Sequence, residues 1–478
     1  MIFYDKEYSL PKPKRKTVML SGFKGYDETK LTSNLPCDYV DCVYNFSFKN
    51  GRLVNSFGIN ELKLGETILP VLPKIEGDKR LFATKMNVGG EIKSTLAVSY
   101  QNGLEYIMIG ETEWHHLDCQ DFFKSGVNYL YNDDDLLILS GEKGIKVFKN
   151  GELCDVQYEG QIEALCVHNE RIYAVVKGKR NSLWFSDNFD PFNWNVSIDE
   201  GGYIGFDGTL GNVKVIKSFI NYLYIFCDYG IYRLTAFADQ NQFSMKKVYT
   251  SCGRIFAPSI TECGEYIAFA SEDGVYLFDG YDVSRYSIKT NDLLKSGFDD
   301  VYACYAHHKY ILSFTNTAAS DYGIFTRDID NNILLIFDLA DKSVNLIRGI
   351  SFSRLITLSM SDYNRVIGLS DDFDKVAQLD DSGLYFGKAM QKYWQTNEID
   401  FDLPNGVKVI RTIEYNTPYE YILGIIADGE RHEFLLTPKE RKKSIYIKSQ
   451  SFVFYIRSDN NLENIRPPKL EVDFIDKV

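Results

Sequence analysis

Ser182-Leu183-Trp184-Phe185-Ser186-Asp187, then Asn188-Phe189-Asp190-Pro191-Phe192-Asn193-Trp194, open a stretch that runs from Asn181 to Gly280. It closes on Asp273-Gly274-Val275-Tyr276-Leu277-Phe278-Asp279-Gly280. Between these ends lie Tyr222-Leu223-Tyr224-Ile225-Phe226 and Gly230-Ile231-Tyr232-Arg233-Leu234. A strand-like run ends, a turn follows, and the next run begins with Gly and an apolar pair. Glycine tolerates the positive φ of a tight turn. Continuous apolar runs of this length fit strands buried on both faces, as between stacked sheets.

The same unit recurs outward from this stretch. On the N-terminal side it appears around Leu81–Gly110, Leu136–Phe148 and Ile162–Ser186. On the C-terminal side it appears around Tyr266–Phe278, Tyr310–Phe337 and, more weakly, Leu355–Leu369. With Asn212–Leu234 this makes about seven units spaced by roughly 45 residues, the period of four-stranded propeller blades. The expected fold is all-β: a β-propeller over residues 76–390 of about seven blades, six to eight bracketing the count. A series of two-layer sandwiches is the structural alternative. No unit carries the Trp-Asp signature of the commonest propellers.

Residues 1–75 read as an extended arm with one hairpin. Ser9-Leu10-Pro11-Lys12-Pro13 does not suit a helix, because the prolines remove donors and restrict their predecessors. Two strand-like runs flank Lys49-Asn50-Gly51-Arg52, where Asn-Gly supplies a tight turn. After residue 390 the pattern changes to short alternating strands, from Tyr393-Trp394-Gln395 to Leu470-Glu471-Val472-Asp473-Phe474. Their regular spacing predicts a separate β-sandwich over 391–478.

Composition bounds the function. The chain has 478 residues, 45% hydrophobic and 14% aromatic, with 33 Tyr and 32 Phe but only 7 Met. That supports a large core built from strands. The net charge of −13 argues against nucleic-acid binding over the whole surface. One local exception is Lys12-Pro13-Lys14-Arg15-Lys16. It reads as a solvated tail or, in the sharper reading, as an assembly arm touching a phosphate backbone or an acidic neighbouring subunit. A second basic run, Lys439-Glu440-Arg441-Lys442-Lys443, reads as a solvated turn or a subunit contact.

The nine cysteines form no CxxC pair and no zinc spacing, which predicts reduced core residues of a protein made in a cytosol. The polar, charged start predicts no signal peptide, and no apolar run is long enough for a helical membrane span.

No phosphate-loop, zincin, nucleophile-elbow or dinucleotide-binding pattern is present. His115-His116 and His307-His308 are adjacent pairs, and strand neighbours point to opposite faces, so they read as surface or blade-edge residues. Asp133-Asp134-Asp135 and Asp371-Asp372-Phe373-Asp374 read as acidic turns without the spaced ligands of a calcium loop. Ser186-Asp187 before Trp194 is superficially like a sialidase Asp-box but lacks its Gly and Thr spacing. No catalytic, cofactor-binding or metal residue is assigned, and no cofactor is expected.

With these residues in view, a resemblance emerges. Ser182 to Ser186 with Asp190-Pro191 and Trp194 resembles a segment of bacteriophage virion proteins that have a propeller body. Ser271 to Gly280 is similar to their Asp-Gly-Val-Tyr turn, and Cys252-Gly253 with Ala257-Pro258-Ser259-Ile260 also fits. The hairpin with Asn45 and Gly51 and the Trp394 to Lys408 segment look like the arm and end domain of those proteins. Asn188 and Phe189 depart from the usual Gly before Asp190.

Such proteins include the packaged-DNA stabilisation, or tail-hub, proteins of short-tailed phages. The resemblance implies a non-enzymatic structural component of the virion tail or neck. It would form a homo-oligomeric ring with portal or adaptor proteins and other tail proteins as partners, a passing contact with DNA and no membrane. An acidic ring lumen would let DNA slide. A glycan-binding or carbohydrate-active propeller at a tail tip is the alternative reading, and a generic interaction propeller is a third.

Overall fold

The computed structural model describes residues 13–20, 23, 42–64, 67–73, 77–156, 158, 160–179, 181–197, 200–237, 240–287, 294, 299–315, 333–350, 352, 354–359, 364–370, 375–461 and 464–475. Two compact units divide the chain. The larger holds residues 60–341 and 349–379; the smaller holds 1–59, 342–348 and 380–478.

The larger unit is a seven-bladed β-propeller. Blade 1 is built from Arg80–Val88, Glu91–Tyr100, Gly103–Met108 and His115–Asp118, and blade 2 from Ser125–Tyr131, Asp134–Gly141, Gly144–Lys149 and Glu152–Asp155. Blade 3 uses Ile162–His168, Arg171–Val176, Ser182–Phe185 and Gly202–Gly205. Blade 4 uses Val213–Phe219, Tyr222–Cys227, Gly230–Thr235 and Ser244–Thr250, and blade 5 Thr261–Cys263, Tyr266–Ser271, Gly274–Phe278 and Val283–Ser287. Blade 6 brings Asp299–Ala306, Lys309–Thr315 and Ile333–Asp338 to this unit, and blade 7 opens with Arg354–Ser359, Asn364–Ser370 and Lys375–Asp380. Within each blade successive strands pair antiparallel.

The first strand of each blade is innermost. Ser125–Tyr131 packs on Ile162–His168, that strand on Val213–Phe219, Thr261–Cys263 on Asp299–Ala306 and that strand on Arg354–Ser359, which packs on Arg80–Val88 to close the ring. N-terminal residues join blade 7: the Leu62 N–H donates to the Val376 carbonyl at 3.1 Å, and Glu61 forms an ion pair with Lys375. Hence residues 60–64 belong to the propeller unit, inside the stretch that the sequence assigned to an arm.

Second strands carry the core. Arg171–Val176 is buried at every position, and Leu223–Cys227 and Tyr310–Phe314 are equally enclosed. They are apolar on both sides because each blade is sandwiched between two others. One cluster joins Tyr173 and Phe185 of blade 3 to Leu223, Ile225 and Tyr232 of blade 4. Another joins Tyr224 and Phe226 of blade 4 to Phe269 and Phe278 of blade 5.

Buried tyrosine hydroxyls stitch the blades together. Tyr129 donates to the Glu170 carbonyl, Tyr224 to that of Gly280 and Tyr310 to that of Ser259, each at 2.9 Å. Each crosses from one blade to its neighbour, so a ring buried between sheets also satisfies a turn carbonyl.

Among the described residues the smaller unit contains a four-stranded and a five-stranded sheet besides a short hairpin. One runs in the order Lys14–Met19, Lys469–Ile475, Val407–Glu414, Lys442–Ser449; the other runs Cys42–Tyr44, Lys392–Gln395, Val453–Ser458, Tyr421–Ala427, Glu430–Leu436. Phe401 packs on Phe454 of one sheet and Phe474 of the other, which makes the pair a sandwich. N-terminal strands are integral to both sheets. This differs from the expected separate arm over 1–75, because Lys14–Met19 and Cys42–Tyr44 find their backbone partners in C-terminal strands. The expected hairpin is present: Phe46–Lys49 pairs with Arg52–Asn55, and Asn50 and Gly51 turn with φ of 51° and 68°.

Candidate functional site

The propeller axis carries a channel of about 1000 Å³, lined by the inner strands of all seven blades. Its charged lining is Arg80, Lys124, Glu163, Lys214, Lys217, Glu262 and Arg354, five basic side chains against two acidic ones. In a chain of net charge −13 this is a local reversal of sign.

Several of these residues stand where inner strands begin. Arg80 and Arg354 are the first residues of their strands, Lys124 immediately precedes Ser125–Tyr131, and Lys214 is second in Val213–Phe219. Glu163 and Glu262 are likewise second in Ile162–His168 and Thr261–Cys263, so that end of the channel carries charges of both signs.

Arg80 and Arg354 converge where the ring closes. The Arg354 Nε donates to the Lys79 carbonyl at 2.8 Å, and the Arg80 Nη1 donates to the same oxygen at 3.2 Å. Arg354 lies over the Tyr302 ring, 4.2 Å from its centroid, and Arg80 lies 5.6 Å from the Phe122 centroid. Burial, and then the neighbouring Arg354 charge, push the Arg80 guanidinium below its ordinary pKa. Among the described residues Arg80 has no ion-pair partner, whereas Arg354 pairs with Asp78 at 3.7 Å, Lys124 with Glu142 at 3.2 Å and Lys214 with Asp228 at 3.5 Å.

The residues singled out in the sequence lie elsewhere. Lys14, Arg15 and Lys16 are on the exposed edge strand Lys14–Met19, and Lys12 lies outside the described residues. Arg15 binds Asp473, and Lys16 sits 5.1 Å from the centroid of the Phe474 ring. His115 bonds Glu111 at 3.1 Å and His116 bonds Glu105 at 2.8 Å, both on an outer blade strand. His307 and His308 form an exposed turn with φ of 50° and 61°. Asn132 and Asp133 likewise turn at positive φ, and Asp134 pairs with Lys149. Asp371–Asp374 lie outside the described residues. Lys442 pairs with Glu414 and Glu471 at 3.3 and 3.5 Å.

No family model matches the chain, and no curated protein matches it. Solved propellers do. The AfRom2 CNH domain is 11% identical with a TM-score of 0.39, covering 63% of this chain and 95% of its own. The β-propeller domain of Cps50 (Swd1) from Myceliophteria thermophila is 8% identical with a TM-score of 0.40, covering 63% and 99%. An ancestral GH74 enzyme is 9% identical with a TM-score of 0.40, covering 63% and 51%. The likeness is one of fold and nothing more.

The Asn181–Gly280 residues serve turns. Asp187 accepts from the Asn188 N–H at 2.6 Å and from the Asn193 side chain at 3.2 Å, and Asp190 accepts from the Phe192 N–H at 2.9 Å. The Trp194 indole donates to the Pro191 carbonyl at 3.0 Å. Asp279 accepts from the N–H groups of Tyr281 and Asp282, which hold its carboxyl below the usual range. Sequence reasoning missed the channel arginines. They are two isolated residues 274 positions apart, and only ring closure makes them neighbours.

Proposed function

We propose that the chain is a non-enzymatic structural protein of a bacteriophage tail or neck, a hub below the portal and its adaptor. In this reading it acts as a homo-oligomeric ring that helps retain packaged DNA and attaches further tail parts. The observation that supports it most is how the shared motif residues are used. Asp190, Trp194 and Asp279 are committed to backbone groups of their own turns. A glycosidase instead needs two carboxylates flanking a cleft that admits a sugar. Residues committed in this way build a scaffold.

A second support is the exposed basic edge strand Lys14–Met19. Copies with a charge of −13 repel one another, and a cationic strand facing an acidic neighbour offsets that locally.

Light scattering after size exclusion, with micrographs of the purified protein alone and with portal and adaptor, tests the reading. Ring-shaped particles are expected. A strict monomer under every condition counts against the hub, and turnover of any member of a glycan panel sinks the non-enzymatic assignment. Portal and adaptor genes beside this one are the genomic expectation.

A further inference from the structure

We propose that the end of the propeller channel where Arg80 and Arg354 meet binds a small, multiply charged phosphate compound, with these two residues as its principal contacts. Lys217 adds a cation to the channel wall.

Three observations carry this. Five basic side chains line the channel against two acidic ones, and of the five Arg80 and Lys217 lack an ion-pair partner among the described residues while Lys124, Lys214 and Arg354 have one. Two guanidinium groups from different blades meet at one carbonyl oxygen. Like charges held this close repel; the exposed Asp78 carboxylate pairs with Arg354 alone, and a bridging anion removes the repulsion that remains. Arg80, half-buried among blades, has no carboxylate of its own among the described residues, and neither does Lys217. An anion there gains charge-assisted hydrogen bonds in a partly dry setting.

Shape selects the chemistry. A carboxylate presents one planar edge and suits a single guanidinium fork. A phosphate offers oxygens on several sides and satisfies donors arriving from two directions. The channel's 1000 Å³ falls at the upper end of the range for small-molecule sites. Tyr302 fixes Arg354 by stacking, so little side-chain entropy remains to be lost on binding.

The test uses the full chain and inorganic tripolyphosphate, read by calorimetry and by thermal unfolding in low salt. Tripolyphosphate is expected to raise the unfolding temperature and to bind with an affinity that falls with added salt. Arg80→Gln should weaken binding about tenfold or more, the loss of a charge-assisted bond. Lys217→Gln should weaken it by a smaller factor, and Arg354→Lys should retain part of it. Lys439→Gln, in the other unit, should leave it unchanged. Absence of heat and of any thermal shift at about 1 mM ligand overturns the proposal. So does an Arg80→Gln protein that is folded and binds like the parent. Citrate binding as tightly as tripolyphosphate overturns the assignment to phosphate.

Discussion

Arg15 donates to both carboxylate oxygens of Asp473, from Nε at 2.7 Å and from Nη2 at 3.1 Å, across 458 positions of sequence. Asp473 is 1% exposed and also accepts from the Arg411 Nε at 2.8 Å. The Arg15 bond, working with Arg411 against the cost of burial, holds the Asp473 carboxyl at about 2. A carboxyl lowered on folding stabilises fully above its unfolded pKa near 3.8 and loses that contribution as pH falls toward 2. Asp473→Asn should lower the unfolding temperature of the sandwich by several degrees at neutral pH. It should also flatten the decline of stability between pH 4 and 2. Thermal unfolding across pH checks this, and parallel profiles for the two proteins would refute it.

His168 titrates with the opposite chemistry. It lies on the inner strand of blade 3, is 3% exposed, and bonds Ser218 of blade 4 through Nδ1 at 2.8 Å. Burial pushes its pKa down to about 4 from 6.5. The folded chain therefore refuses a proton that the unfolded chain accepts between those values. Stability is full above pH 6.5, falls as pH drops to 4, and loses nothing more from this group below that. At about 1.4 kcal/mol per pKa unit, the loss is on the order of 3 kcal/mol. His168→Gln should remove that slope from the propeller transition, as followed by chemical denaturation at several pH values.

Asn45 is a buried junction of the smaller unit. Its φ is 59°, its Nδ2 donates to the carbonyls of Arg348 and Gln391 at 3.0 and 2.7 Å, and its Oδ1 accepts from the Arg348 N–H at 2.8 Å. Alanine there removes all three bonds. It also places a residue poorly suited to positive φ in a left-handed position. Asn45→Ala should cost about 2–4 kcal/mol, measured by urea unfolding. A change below about 0.5 kcal/mol would show that water replaces the amide without loss.

The repeat was legible because second and third strands announce themselves. Tyr222–Cys227 and Tyr266–Ser271 are continuous apolar runs since both faces are packed. Inner and outer strands were harder to read. Ser125–Tyr131 and Asp299–Ala306 mix polar and apolar residues because one face meets the channel, and Glu152–Asp155 is short and mostly exposed. The units read from Leu136 and Tyr310 therefore start one strand late. Pairing between distant strands left no local trace at all. Nothing in Lys14-Arg15-Lys16 says that its partner is Val472 to Phe474, and nothing near Arg80 points to Arg354.

The pairing of the N-terminal strand changes how an assembly role must be tested. Removing residues 1–30 would delete Lys14–Met19, strip the edge from one sandwich sheet and leave Asp473 without Arg15. Such a truncation is expected to destabilise the smaller unit, so loss of assembly would not isolate a docking surface. Charge reversal separates the two effects. Lys14 and Lys16 are exposed; an exposed charge changes stability by only about 0.5 kcal/mol, and the contact of Lys16 with the Phe474 ring adds about 0.5–1 kcal/mol. Lys14→Glu with Lys16→Glu should leave the unfolding temperature within a few degrees of the parent. Association with an acidic neighbour should weaken several-fold, and more so at low salt, where screening is least. Sedimentation across a salt series reads the outcome. Unchanged association in the doubly reversed protein would remove this strand from the interface.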